Sequence, residues 1–226
     1  MVPVPKKENF RSIWLLLLGF CAASATVLFL CRVSADRLPD IVGRQLTAGE
    51  EAEVIGRNSP LTDYVYLSPN ADFPRGQEIK KITIHHMADI LTAEELGLAF
   101  AQRDRQASSN YAIDSGGRVA LYVEEANRAW TSSQEENDDQ AVTIEVSNDE
   151  IGGEWHVSDE AYAALLELCT DICRRNGIQS LRFTGDTTGN LTMHSMFNSD
   201  TQCPGPWLEH HMEDIAREVS RRLRNG

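Results

Sequence analysis

Short strand-like and helix-like segments alternate along the chain beyond Leu61. The segment KITIHHM, residues 81–87, has the β-branched pattern of a strand, and LTAEELGLAFAQR, residues 91–103, has the pattern of a helix. Thr92 and Glu95 fit a capping box at the start of that helix. Strands that alternate with helices predict an α/β fold, with a central mixed β-sheet flanked by helices.

The remaining segments extend this pattern to the end of the chain. NYAIDSGGRVALYV, residues 110–123, predicts two strands around a Ser-Gly-Gly turn. Further strands are predicted at AVTIEVSN, residues 141–148, and at LRFTG, residues 181–185. Two helices complete the prediction: one is capped by Ser158 and ends at Arg175, and the last begins near Pro206 and ends near Leu223.

An uncharged, apolar run over residues 13–31 follows Lys6, Lys7 and Arg11. As a helix it would be about 28 Å long, close to the thickness of the bilayer hydrocarbon. The basic flank places the N-terminus inside the cell and the rest of the chain outside. Residues 33–35, Val-Ser-Ala, resemble a signal-peptidase site, but the apolar run is longer than a usual signal core. We therefore predict a single-pass transmembrane anchor in the cell membrane, with secretion after signal cleavage as the alternative.

The length of the chain suits one domain with an N-terminal extension. It has 226 residues, with 34 Asp and Glu against 21 Lys and Arg, and a net charge of −13. This acidity argues against a nucleic-acid partner, which requires a basic face. We predict a cytoplasmic tail with an anchor or signal segment over 1–35, a polar flexible stalk over 36–60, and a single monomeric domain over 61–226.

Five cysteines fall into three groups. Cys21 and Cys31 lie in the apolar run, and Cys169 and Cys173 lie four residues apart on a predicted helix, where we expect small buried side chains. Cys203 has no evident partner, so the sequence does not indicate a disulfide framework.

Two strands combine an apolar face with a polar one. Alternation puts Thr83 and His85 on one face of residues 81–87, and Thr143 and Glu145 on one face of residues 141–148. If these polar faces point the same way, His85 and Glu145 line one floor. The alternative is that each side chain simply faces solvent.

A Gly/Pro-punctuated segment, LTMHSMFNSDTQCPGPW, carries His194 and Cys203. With His85 they form a set of three potential ligands that leaves a fourth tetrahedral position for water, as in a hydrolytic zinc site. A competing interpretation is a cysteine peptidase with Cys203 as nucleophile and His194 as base.

Five segments in this order carry a resemblance to a known family: KITIHHM, SSNYAIDSGGRVALYV, RAWTSS, AVTIEVSND and GNLTMHSMFNSDTQCPGPW. From about Leu61 to its end, the chain resembles the zinc-dependent N-acetylmuramoyl-L-alanine amidases that are related to peptidoglycan recognition proteins and phage lysozyme-like amidases. The resemblance implies Zn²⁺ bound by His85, His194 and Cys203, and Glu145 as the catalytic base.

One position departs from the pattern of that family. Many members have lysine two residues before the third ligand, where this chain has Thr201. A threonine hydroxyl could stabilise the developing oxyanion by a neutral hydrogen bond, where lysine would supply a charge. Thr201 is therefore the second predicted catalytic residue.

The resemblance also implies a substrate, peptidoglycan, cut at the amide bond between N-acetylmuramic acid and L-alanine. Asn110, Tyr111, Arg128 and Trp130 are the candidate substrate-binding residues. Trp130 could stack on a sugar or a peptide stem, and the alternative is an ordinary packing role. The alternative function is a non-catalytic module that binds peptidoglycan without cutting it. Four further histidines are assigned other environments: His86 is predicted to be structural, His156 to lie in a loop, and His210 and His211 to be exposed.

Overall fold

The computed structural model describes residues 39–225. Among these residues the helices are α1 (Ala48–Arg57), α2 (Ala93–Phe100), α3 (Glu135–Gln140), α4 (Asp159–Arg175) and α5 (Pro206–Asn225). The strands are β1 (Thr62–Val65), β2 (Ala71–Asp72), β3 (Lys81–His86), β4 (Tyr111–Ile113), β5 (Val119–Leu121), β6 (Arg128–Ala129), β7 (Ala141–Val146) and β8 (Leu191–Met193). Single turns of 3-10 helix lie at Arg103–Arg105 and His194–Met196.

Six of the strands form one mixed sheet in the order β1-β5-β4-β7-β3-β8. β4 and β5 are antiparallel, and every other neighbouring pair is parallel. β2 and β6 form a separate antiparallel pair. Because β7, β3 and β8 run in parallel, their carboxyl ends meet at one edge of the sheet, where α/β folds commonly place their sites. The predicted α/β fold with a central mixed sheet is confirmed.

Both faces of the central strands are buried, one by apolar packing and the other beneath hydrogen-bonded polar side chains. The apolar face, with Ile82, Ile84 and Ile144 fully buried, belongs to one core cluster with the inner faces of α4 and α5. The other face is polar, yet it does not face solvent. The Thr83 hydroxyl accepts a hydrogen bond from Asn137 Nδ2 at 2.9 Å, which satisfies a polar group inside the fold.

Helix starts follow their capping residues. The capping box of Thr92 and Glu95 is present at α2, and Ser158 Oγ accepts the Ala161 N–H at 3.1 Å at the start of α4. These side chains satisfy backbone N–H groups that have no partner inside the helix. The long helix predicted from Ser158 to Arg175 is confirmed.

Residues 40–60 do not form the predicted flexible stalk. Thr47 and Glu50 make a capping box that starts α1, and Val54 on this helix is 1% exposed in the main core cluster. Asn58 then closes the helix by donating from Nδ2 to the Val54 carbonyl at 2.8 Å. The polar composition of the segment concealed this helix, because it contributes few apolar side chains to the core.

The strand predicted over residues 181–185 is absent, and the segment is irregular. The Leu181 N–H donates to Ser220 Oγ at 3.0 Å, and the Arg182 carbonyl accepts from Asn190 and Leu191. These contacts tie the segment to α5 and to the residues before β8, in place of a regular ladder.

The predicted membrane segment, together with Cys21 and Cys31, falls outside the residues that the structure describes. Among residues 39–225, no helix combines the length and the apolar character needed to cross a bilayer. Cys169 and Cys173 are buried and free, as predicted, and burial raises the pKa of Cys173 to about 12.

Candidate metal centre

His85 and Glu145 lie at the carboxyl ends of adjacent parallel strands. The register of β3 and β7 pairs His85 directly with Glu145. The two polar faces therefore point the same way, and the common floor predicted from strand alternation is present.

His194 reaches the same place from the opposite side of β3. Met193, the last residue of β8, pairs with Ile84, so the next residue in the chain emerges beside His85. A 3-10 turn begins at His194 and turns the chain away from the sheet. The centroids of the His85 and His194 rings are 4.8 Å apart and the rings are tilted by 54°.

Cys203 is held on an irregular segment by three contacts. Its carbonyl accepts the Ser195 N–H at 2.9 Å, and its own N–H donates to Thr201 Oγ1 at 3.1 Å. Its sulfur accepts the His86 N–H at 3.4 Å. The thiol is thereby brought against the end of β3.

One ligand atom from each of His85, His194 and Cys203 lies within 4.8 Å of the others, and His85 Nδ1 is 3.5 Å from Cys203 Sγ. Tetrahedral zinc, with bonds of about 2.0–2.3 Å, would place its ligand atoms roughly 3.3–3.6 Å apart. Within the described residues, Nε2 of His85 and Nε2 of His194 are both buried without a hydrogen-bond partner. Two imidazoles and a thiolate are ligands that suit Zn²⁺, so the residues present fit this metal.

Residues 75–206 match the family model described as N-acetylmuramoyl-L-alanine amidase. This match covers more than half of the chain and spans the whole candidate site. The chain belongs to the N-acetylmuramoyl-L-alanine amidase family. No curated protein sequence matches it significantly.

Solved structures share the fold of this amidase-family chain at low sequence identity. The structure of PlyL is 15% identical, covers 80% of this chain and 97% of its own, and has a TM-score of 0.52. A mutant endolysin from Bacillus subtilis is 15% identical, with coverages of 70% and 99% and a TM-score of 0.54. The catalytic domain of XlyA is 14% identical, with coverages of 70% and 97% and a TM-score of 0.53. These likenesses show a shared fold.

Burial controls the protonation of the three candidate ligands in this amidase-family site. It lowers the pKa of His85, and nearby His194 and His86 lower it further. Burial also lowers the pKa of His194, and it raises the pKa of Cys203, with Glu145 adding to the rise. The lowered pKa values favour neutral imidazoles, the form that binds metal, whereas the raised pKa of the thiol means that its thiolate requires a neighbouring cation.

Glu145 occupies an unusual environment for a carboxylate. Burial raises its pKa to about 8, and the Arg105 guanidinium acts in the opposite direction. The side chain keeps partial exposure overall, but its Oε2 is buried without a partner among the described residues. Arg105 was not identified from the sequence, because it lies on the 3-10 turn after α2, outside every quoted motif.

For two of the four residues predicted to bind substrate, the prediction is wrong. Asn110 and Tyr111 are both 0% exposed. Asn110 exchanges hydrogen bonds with β7 through Thr143, and the Tyr111 hydroxyl donates to Glu125 Oε1 at 2.8 Å. Both side chains are therefore buried in internal hydrogen bonds and do not line a groove.

Arg128 and Trp130 are partly exposed and share one partner. Arg128 Nε donates to Asp72 Oδ2 at 2.6 Å, and Trp130 Nε1 donates to Asp72 Oδ1 at 3.2 Å. Together with Thr131, they line a cavity of about 270 Å³. The Thr131 hydroxyl lies 2.9 Å from that of Thr143, two residues before Glu145 on β7, so this cavity adjoins the strand that carries the carboxylate.

The other histidines lie outside the cluster of three. His86 contacts Asn148 and Trp155, in agreement with the structural role predicted for it. His156 lies in a loop, with Nδ1 2.7 Å from Asp149 Oδ1, and His210 is exposed. His211 differs from the prediction: it is half-buried and stacks on Trp207 at 3.8 Å.

Proposed function

We propose that this chain is a zinc-dependent amidase that hydrolyses the bond between N-acetylmuramic acid and L-alanine in peptidoglycan. The observation that carries the proposal is the cluster of His85, His194 and Cys203 beside the carboxylate of Glu145. Membership of the N-acetylmuramoyl-L-alanine amidase family supports the choice of bond.

The three ligands would hold Zn²⁺ and leave one position open. Bound zinc supplies a Lewis acid for the scissile carbonyl and lowers the pKa of water. The ligands come from two strand ends and one loop.

Glu145 moves the proton in this mechanism. Its carboxylate takes a proton from the attacking water, whose oxygen forms a bond to the carbonyl carbon. When the C–N bond breaks, the same carboxyl group delivers the proton to the nitrogen of L-alanine. In the metal-free chain burial raises the pKa of Glu145 to about 8, so a bound cation would favour the carboxylate form that accepts the proton. The products are a muramic acid carboxylate on the glycan and a free peptide amine.

Thr201 would stabilise the oxyanion that forms on the carbonyl. Its Oγ1 accepts the Cys203 N–H at 3.1 Å, which leaves its own proton free to donate. A neutral donor of this kind is weaker than a lysine ammonium group.

The cysteine peptidase is disfavoured by the environment of the thiol. A nucleophilic cysteine requires a lowered pKa, whereas burial raises the pKa of Cys203. The choice between an enzyme and a binding module depends on turnover. Digestion of defined muropeptides, followed by mass spectrometry, should release a peptide with a free L-alanine amine, and intact muropeptides would refute the proposal.

A further inference from the structure

Cys203 stands apart from the two candidate histidines in how it is positioned. His85 lies within β3 and His194 directly follows β8, so the sheet fixes both backbones. Cys203 lies between a turn and α5, where no strand holds it. The position of its sulfur therefore depends on how this segment packs against its neighbours.

Gly205 shows how tight that packing is. Its φ is +85°, a conformation that favours glycine, and a Cβ added there would lie 3.1 Å from the His86 ring and 3.1 Å from Trp155 Cβ. The chain two residues after Cys203 thus passes through a slot between His86 and Trp155. The rings of these two residues meet edge to face at 5.3 Å, which closes the slot.

Asn148 joins both walls of the slot. His86 Nδ1 lies 3.2 Å from Asn148 Oδ1, and because an amide oxygen only accepts, the imidazole donates in this pair. Asn148 Nδ2 donates to the Trp155 carbonyl at 2.7 Å. Asn148 is 0% exposed and follows β7, the strand of Glu145, by two residues.

Trp155 adopts a backbone conformation that its surroundings must maintain. Its φ is +55°, which is uncommon for a bulky side chain. Its N–H donates to the Gly152 carbonyl at 3.0 Å, and the neighbouring Glu154 carbonyl accepts the Trp207 N–H at 3.0 Å. The loop after β7 is thereby fastened to the start of α5, which follows Cys203 in the chain.

We propose that Asn148 is a positioning residue for the metal centre: through His86 and Trp155 it fixes Gly205, and so sets where Cys203 presents its sulfur. The His86 N–H that donates to Cys203 Sγ at 3.4 Å belongs to the same unit, so the ring and the backbone of His86 act on one loop. Mutation of residues that orient metal ligands without binding the metal themselves typically lowers metal affinity by about 10- to 100-fold. This inference rests on the proposed zinc site, although not on the reaction that the site performs.

The test measures zinc affinity in the full chain by chelator competition for wild type, Asn148→Ala and Gly205→Ala. Asn58→Ala is the matched control, because Asn58 is also buried and also bridges two segments through its amide, at the end of α1. We expect both site variants to bind zinc 10- to 100-fold more weakly than wild type, with an altered thiolate-to-metal absorption band after Co²⁺ substitution. Asn58→Ala should lower the melting temperature of the metal-free protein and leave both metal readouts unchanged.

Two results would overturn the inference. One is zinc affinity and a Co²⁺ spectrum in Asn148→Ala equal to those of the Asn58→Ala control. The other is a loss of affinity matched by unfolding of the metal-free variant, as judged by circular dichroism at the assay temperature. Failure of the proposed function would instead appear in the wild type, either as no zinc binding or as bound zinc without turnover.

Discussion

His85 and Glu145 are directly paired on adjacent parallel strands, so a candidate metal ligand and a carboxylate share one end of one sheet. His194 joins them from β8 on the other side of β3. The strand order β7-β3-β8 therefore places a proton acceptor and two imidazoles in a row, and the chain after β8 supplies Cys203.

The thiol of Cys203 should be required for zinc. Cys203→Ser replaces a soft sulfur ligand with a hydroxyl, which binds zinc poorly, so the purified variant should lose most of its metal. Wild type should carry about one zinc per chain by elemental analysis. Cys173→Ser is the control, because Cys173 is also buried but lies on α4 in the apolar core. Full zinc occupancy in Cys203→Ser would remove this residue from the site.

The stability of the metal-free protein should depend on pH through Glu145. Burial raises its pKa from 4.5 to about 8, so the folded state disfavours the ionised form. The stability that depends on the protonation of Glu145 is then fully present below its unfolded pKa and is lost as the pH rises toward 8. Glu145→Gln stays neutral, so its free energy of unfolding at pH 8, measured by urea denaturation, should exceed that of wild type. The expected difference is on the order of 1–3 kcal/mol after allowance for partial exposure. At pH 4.5 the two chelator-treated proteins should be nearly equal, and a difference that does not change with pH would contradict this account.

Thr201 should contribute to turnover less than Glu145 does. Thr201→Ala removes a neutral hydrogen-bond donor to the transition state, which is worth about 1–3 kcal/mol. Its kcat on a muropeptide should fall by roughly 5- to 150-fold. Thr201→Ser keeps a hydroxyl and should stay close to wild type. Zinc must be measured on the same samples, since Thr201 also accepts the Cys203 N–H. Unchanged kcat in Thr201→Ala would exclude the hydroxyl from the mechanism.

The N-terminal segment defines a separate proposal about location. Lys6, Lys7 and Arg11 before the apolar residues 13–31 predict a chain that stays in the membrane with its domain outside. Full-length protein should remain in the membrane pellet after alkaline washing, and protease added from outside should remove the domain. A soluble mature protein that begins at Asp36 would instead establish signal cleavage.

Local patterns predicted the parts of the site that lie within strands. Alternation in KITIHHM and AVTIEVSN assigned His85 and Glu145 to the polar faces, because the period of a strand is visible within a few residues. β8, Leu191–Met193, was not identified from the sequence, so the sequence did not reveal why His194 lies beside His85. The capping residues Thr92 and Ser158 predicted helix starts for the same local reason.

The errors concern side chains whose environment depends on distant residues. Asn110 was predicted to bind substrate, but its amide donates to the Val123 carbonyl and its oxygen accepts from Thr143, on two other segments. The role of Asn148 was missed for a similar reason, since its partners His86 and Trp155 meet only in the folded chain. Such contacts leave no periodic signal in the sequence.

We propose that Glu145 transfers the proton at a zinc site that it does not itself form. Glu145→Gln is nearly isosteric, preserves the strand face and leaves His85, His194 and Cys203 in place. The decisive measurement is release of peptides with a free L-alanine amine from one defined muropeptide, with zinc content determined on the same samples. We expect Glu145→Gln to have normal zinc content and turnover reduced by roughly 100-fold or more. Near-normal peptide release by the zinc-loaded variant would show that Glu145 is not the base.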